Sequence, residues 1–178
     1  SGWHLAKSLG VAERLNCQPY VSSQIYYSLE CRDAEYELIP AAVDGGLGVL
    51  VWSPLAAGML SGKERAPGTR LAELPAPGTP DDAHVAGIVA VLREIASERG
   101  VSVPQVALAW VLGRPGVTSV VVGARTREQL ADNLAAATWA LSPDEMGRLD
   151  AASARPLPYP YWHQRRFNVP RMRSQDVF

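Results

Sequence analysis

The residues best placed to do chemistry fall in two glycine-containing turns. The first is Val120-Val121-Val122-Gly123-Ala124-Arg125-Thr126-Arg127-Glu128-Gln129-Leu130, an apolar run feeding a tight turn and then a capped helix start. A helix N-terminus presents unpaired N–H groups and a positive dipole end, which suits an anion. Gly123 permits close backbone approach, and Arg125 adds a planar set of donors that never loses its charge. The spacing is neither a Walker pattern nor GxGxxG, so an ordinary βα turn with an exposed arginine stands as the alternative. The second turn is Trp52-Ser53-Pro54-Leu55-Ala56-Ala57-Gly58-Met59-Leu60-Ser61-Gly62-Lys63. A tryptophan ending a strand can stack a planar ring, or it can be a core aromatic. The small residues after it are expected to expose N–H groups, and Lys63 to meet a pyrophosphate or to be a surface lysine. Gln24, at the end of its strand, can donate and accept through its amide, or be buried and satisfied by backbone.

These turns need strands and helices to hold them. Leu5, Leu9, Ala12 and Leu15 have helical spacing, which predicts a helix from His4 to Leu15. Tyr20 to Ile25 has strand composition after Pro19, and Asp33 to Val43 reads as helix stopped by Gly45-Gly46. Gly48 to Trp52 is a continuous apolar run, as expected of a strand buried on both faces. Residues 54–80, rich in Pro, Gly and Ala, predict a long loop. A helix from Asp82 to Arg99 follows, stopped by Gly100. Ser102-Val103-Pro104-Gln105 predicts a capping box opening a helix to Leu112. Val117 to Val122 reads as a second strand buried on both faces. Thr126 to Gln129 predicts another capping box and a helix to Ala137, and Ser142 to Glu145 caps a last short helix with Pro143 in its first turn. Alternation of this kind argues for βαβ units in a parallel sheet. Three strands alone leave unpaired edges and exposed apolar faces, so further strands are expected from a missing part or a second chain.

Composition narrows the classes. The 178 residues are 47% hydrophobic and 20% charged with a formal net charge of −1, as in a water-soluble globular protein. No basic excess exists to neutralise nucleic-acid phosphates. Arg155, Arg165, Arg166, Arg171 and Arg173 flank the aromatic stretch Leu157-Pro158-Tyr159-Pro160-Tyr161-Trp162, which reads as a solvated tail. Cys17 and Cys31 have no framework or metal spacing, so reduced thiols in a cytoplasm are expected. No apolar run reaches the roughly 18 residues of a membrane span, and no signal peptide is visible. His4, His84 and His163 do not fall into a triad or metal-ligand spacing. The start on Ser1 without an initiator Met suggests a missing beginning.

Taken together, the segments resemble the aldo-keto reductase family from residue 1 to about 150. Ser1-Gly2-Trp3 is similar to the family's Ser-Asn-aromatic corner after the fifth barrel strand. Gln24 in Gln-Ile-Tyr-Tyr-Ser-Leu is similar to the sixth-strand glutamine, with Arg32 and Glu35 in the R-x-x-E that follows. The Trp52 turn resembles the seventh-strand W/Y-S-P-L-x-x-G-x-L-x-G-K. Gly123-Ala124-Arg125-Thr126 with Gln129, Leu130, Asn133 and Leu134 resembles the eighth-strand G-A-R/S-x-x-x-Q-L-x-x-N.

The resemblance implies an α/β protein of the (β/α)8 barrel class. It would be represented by the part from the end of strand five through strand eight, as a cofactor-binding unit of residues 1–155 and a tail of 156–178. It implies NADP(H) in preference to NAD(H). Ser1 and Gln24 would hold the nicotinamide carboxamide, and Trp52 would stack on the ring. Ser53, Pro54, Leu55, Gly58 and Lys63 would grip the pyrophosphate, with Arg70 closing over it. Gly123, Arg125, Gln129 and Asn133 would bind the adenosine end, with Arg125 on the 2′-phosphate. Tyr159, Tyr161 and Trp162 would line the pocket of a small carbonyl substrate. Two departures stand out. Gly2 replaces the usual Asn, and no position corresponds to the family's catalytic Asp, Tyr, Lys and His, so the chain alone is expected to be inactive. The competing expectation is a non-catalytic cofactor-binding module, since the family includes potassium-channel β-subunits. A second copy of the chain could then close the barrel.

Overall fold

The computed structural model describes residues 1–63 and 82–167. Three strands, β1 (Ser22–Tyr26), β2 (Gly48–Trp52) and β3 (Val117–Val121), form a parallel sheet in the order β1-β2-β3. The helices are α1 (Gly2–Arg14), α2 (Leu38–Asp44), α3 (Asp82–Arg99), α4 (Val103–Leu112), α5 (Arg127–Ala135), α6 (Pro143–Ala152) and α7 (Tyr161–Phe167). The parallel α/β architecture is the one that the alternation predicts.

Alternation along the strands separates two sheet faces. Ile25, Val49 and Val51 point into the core, where they meet Ile39 and Ala42 of α2 and Val106, Ala107 and Trp110 of α4. Ile88, Leu92 and Ile95 of α3 belong to the same core. The opposite face carries Ser22, Gln24 and Tyr26 of β1, Gly48, Leu50 and Trp52 of β2, and Ser119 and Val121 of β3, paired in rows by register. None of these eight is buried.

That arrangement corrects the expectation of strands buried on both faces. Val121 is 49% exposed and Trp52 45% exposed, because among the described residues nothing covers this face. β3 also carries one extra residue, Thr118, where Val49 pairs with Val117 and Leu50 with Ser119. The Thr118 hydroxyl fills the gap by accepting from the Val49 N–H at 3.1 Å.

Other boundaries moved for local reasons. β1 begins at Ser22, opposite Gly48, two residues later than expected and runs on to Tyr26. The helix expected over Asp33–Val43 is a 3-10 turn, Asp33–Glu35, followed by α2. Starting α2 at Leu38 puts Pro40 in the first turn, where its missing N–H costs nothing. Within the expected loop, Ala56–Ser61 forms a 3-10 turn, and residues 64–81 lie outside the described part. The expected helix to Ala137 ends at Ala135 and continues as the 3-10 turn Ala136–Thr138. Tyr161–Phe167, expected as tail, is helical. Gly100 ends α3 with φ of +65°, a conformation that suits glycine.

Neither of the two expected capping boxes is reciprocal, whereas Ser142–Glu145, expected to cap its helix, is a full box. Ser102 caps α4, but the Gln105 side chain turns away to Asp132 at 2.5 Å. The Glu145 carboxylate also accepts from Arg99 Nε and Nη2 at 2.5 Å each, tying α6 to α3. The Arg99 hydrogen bond, more than any other influence, holds the Glu145 carboxyl down at about 2 against an ordinary 4.5. A carboxyl lowered on folding adds stability above its unfolded value and loses it as the pH falls through the folded one. In urea unfolding, wild type should therefore exceed Glu145→Gln near neutral pH, with the gap closing between pH 4.5 and about 2. A gap that stays constant over that window would contradict this account.

Candidate dinucleotide site at the carboxyl edge of the sheet

In a parallel sheet all strands deliver their following turns to one edge, the usual place for ligands in α/β folds. Here Tyr26, Trp52 and Val121 form the last paired row of the open face. Beyond it, the turns after β2 and β3 lie side by side. Gln24 is one row back, beside Leu50. It is exposed on the open face rather than buried, and it sits mid-strand rather than at the strand end. Trp52 is not a core aromatic. Its ring packs obliquely on Tyr26, centroids 4.8 Å apart, and the remainder is open.

The turn after Trp52 is tight. Ser53, Ala56 and Ala57 all have positive φ, of 54°, 48° and 56°. Each such residue costs about 1–2 kcal/mol relative to a right-handed one. Burial of Ala56 and Leu60 in the core holds the turn, as do internal hydrogen bonds. Ala56 N–H donates to the Ser53 carbonyl, Ala57 N–H to Ser53 Oγ, and Gly58 and Leu60 N–H to the Leu55 carbonyl. The expected array of free N–H donors is thus corrected at these four positions. Ser53 Oγ accepts from Ala57 and still carries its own proton to donate. Pro54 is buried, Leu55 and Gly58 are partly exposed, and Lys63 is exposed. Arg70 lies outside the described residues.

The turn after β3 is the more open. No atom of the described residues lies within 4 Å of the position that a Cβ would take on Gly123, and Arg125 is exposed. The Thr126 hydroxyl accepts from the Gln129 N–H at 3.2 Å. The Gln129 side-chain Oε1 accepts from the Arg125 N–H at 2.9 Å instead of from the cap residue, so the second half of the expected box clasps Arg125. That bond uses the oxygen of the Gln129 amide and not its NH2, and Asn133 follows one helical turn on, partly exposed.

Ser1 reaches the same edge from α1. Its hydroxyl is 2.8 Å from His4 Nδ1, and the helix start packs on Glu37 at the start of α2. A Cβ on Gly2 would stand 2.8 Å from Glu37 Cβ and 3.0 Å from its carbonyl oxygen. That close approach is the physical reason for glycine where the resemblance expects Asn. Tyr161 docks nearby: its ring stacks on Tyr36 at 4.8 Å and its hydroxyl donates to Glu37 at 3.3 Å. Tyr159 and Trp162 are exposed at 75% and 46%. Among the described residues, no cluster of His, Cys, Asp and Glu could hold a metal ion.

The aldo/keto reductase family pattern matches residues 1–154. The chain belongs to the aldo/keto reductase family. It is 39% identical over 159 residues to the uncharacterized oxidoreductase YrpG of Bacillus subtilis (strain 168), covering 84% of this chain and 45% of that protein. Identity to versiconal hemiacetal acetate reductase of Aspergillus parasiticus is 28% over 156 residues, 84% of this chain and 45% of the relative. A probable voltage-gated potassium channel subunit beta of Arabidopsis thaliana is 32% identical over 146 residues, 76% of this chain and 44% of that one. The chain spans about half the length of the curated relatives it matches.

Tyr26 and Glu30 join this site although neither motif singles them out. The available signal was period two: Tyr26 stands two residues past Gln24 and so shares its face. For Gly2, the packing predicts that restoring the family's residue does harm. Gly2→Asn should lower stability by about 1–3 kcal/mol in urea unfolding, as overpacking does. Unchanged stability would show that the α1–Glu37 contact yields freely.

Proposed function

We propose that this chain forms the dinucleotide-binding portion of an NADP(H)-dependent reductase of aldehydes or ketones. It would correspond to the barrel from the end of strand five through strand eight. The observation that carries the reading is the row at the carboxyl edge. An exposed Trp52 ring and an exposed Gln24 amide share one sheet face, and the open Gly123–Arg125 turn lies on the neighbouring strand. An indole with a free face suits a nicotinamide ring, and an amide can both donate to and accept from a carboxamide. Ser1, at the same edge, would offer its hydroxyl to the same group. Ser53 and Lys63 would meet the pyrophosphate, the one by its hydroxyl and the other by its charge. Arg125, Gln129 and Asn133 would take the adenosine end, Arg125 pairing with a 2′-phosphate through parallel N–H donors.

The cofactor, when bound, supplies the hydride for carbonyl reduction. The residues described here bind and orient; none corresponds to the family's Asp, Tyr, Lys and His, which supply and tune the proton. The chain alone is therefore proposed to bind cofactor without turnover, the carbonyl chemistry needing the remaining strands. Tyr159, Tyr161 and Trp162 would border the substrate. The potassium-channel relative supports a second reading, a cofactor-binding module without catalysis, with a second copy of the chain as a partner. No described helix is long and apolar enough to cross a membrane. The unpaired thiols of Cys17 and Cys31 suit a cytoplasm.

Equilibrium titration tests the cofactor assignment. Arg125→Ala should weaken NADPH by roughly tenfold or more, as loss of a charge-assisted pair implies, and barely change NADH. Equal effects on the two cofactors would remove the 2′-phosphate role. In the same preparation, NADPH oxidation with broad aldehydes should stay at background, and measurable turnover would overturn the division of labour.

A further inference from the structure

Tyr26 reaches Trp52 across a paired row of the open face, with ring centroids 4.8 Å apart and planes inclined by 43°. Its hydroxyl donates to Glu30 Oε2 at 3.1 Å. Glu30 is brought back over the strand by a closed turn: Ser28 and Cys31 exchange backbone hydrogen bonds at 3.2 Å each, and the Ser28 hydroxyl accepts from Cys31 N–H at 3.3 Å. The next residue, Arg32, is fixed by Glu35 and Asp150. A chain of contacts therefore runs from the anchored Arg32, through the Ser28–Cys31 turn and Glu30, to the Tyr26 ring that meets Trp52. The other neighbour of Trp52 in the row is Val121, itself half exposed, which offers no oriented contact.

We propose that Tyr26 is a positioning residue: its ring, tethered through Glu30, fixes the pose in which Trp52 receives a planar nicotinamide. The proposal rests on the reading of Trp52 given above. A tryptophan 45% exposed at a strand end would otherwise exchange rotamers freely and lose that freedom on binding. The adjoining ring removes part of that loss in advance. Burial, and then the Glu30 charge, raise the Tyr26 hydroxyl well above its ordinary range, so it remains a donor to Glu30.

The test uses the full chain with NADPH and its two halves, reduced nicotinamide mononucleotide and 2′,5′-ADP. Tyr26→Leu should weaken NADPH and the nicotinamide half by roughly three- to tenfold, the worth of one aromatic contact, and leave 2′,5′-ADP unchanged. Tyr26→Phe, which keeps the ring but not the hydroxyl tether to Glu30, should recover part of the loss and fall between Tyr26→Leu and wild type. In a Trp52→Leu background, Tyr26→Leu should add nothing. Undiminished binding by Tyr26→Leu would overturn the positioning role while leaving the dinucleotide reading intact. So would an equal loss for 2′,5′-ADP, or a full extra loss without Trp52. Failure of the wild-type chain to bind NADPH would overturn both.

Discussion

Four charges around one tryptophan hold this fold in register. Arg32 pairs with Glu35 at 2.8 Å and with Asp150 at 3.1 Å, and Arg114 reaches Asp150 at 3.0 Å and Glu35 at 3.5 Å. Both guanidinium groups lie over the Trp110 ring, 5.3 and 5.0 Å from its centroid, while the indole N–H donates to Asp150. Tyr27 adds a 2.6 Å hydrogen bond to Glu35, and burial followed by the Glu35 charge holds its hydroxyl protonated well above the ordinary range. Two positive and two negative groups balance, so the set is neutral as a whole. Removing one member would leave the rest out of balance, most costly at the enclosed Arg114 and Glu35 and softened by solvent at Asp150, whose side chain is 37% exposed. The network joins the loop after β1, the end of α4 and the end of α6. It thereby fixes where the chain leaves β1 toward the site.

From that anchor the site follows by geometry. Tyr27 points into the core and Tyr26, its neighbour, points to the open face, because successive strand residues alternate. Anchoring one orients the other. The same logic carries Val51 inward and Trp52 outward. The turn after Trp52 spends conformational strain at Ser53, Ala56 and Ala57 and closes its own N–H groups, so it serves as a rigid wall more than as a donor cradle. The turn after β3 is the reverse: open at Gly123, clasped by Gln129 and charged at Arg125.

Much of this was legible from residue order. β2 and α3 have the bounds that their apolar patterns predict, because an apolar run bounded by glycine and proline has little freedom to slip. The sheet's three strands and their parallel order were equally visible. The exposure of Val121 and Leu50's face was not, since the same apolar run serves a face that is covered or one that awaits covering. Caps misled for a related reason: Gln105 and Gln129 satisfy the sequence pattern, yet Asp132 and the Arg125 N–H compete for them, and only tertiary contacts decide. Glycine at position 2 was visible as a departure from the family pattern, but the close approach of Glu37 to it was not, since that contact is tertiary.

In the function proposed for this chain, one sheet edge would hold the two ends of a dinucleotide, at Trp52 and Arg125. Amide and indole N–H spectra of the labelled chain, titrated with nicotinamide mononucleotide and separately with 2′,5′-ADP, address it most directly. The nicotinamide half should move the Trp52 indole signal and leave the Arg125 amide in place; the adenosine half should do the opposite. A Trp52 signal unmoved by the nicotinamide half, or both halves perturbing the same residues, would contradict the account.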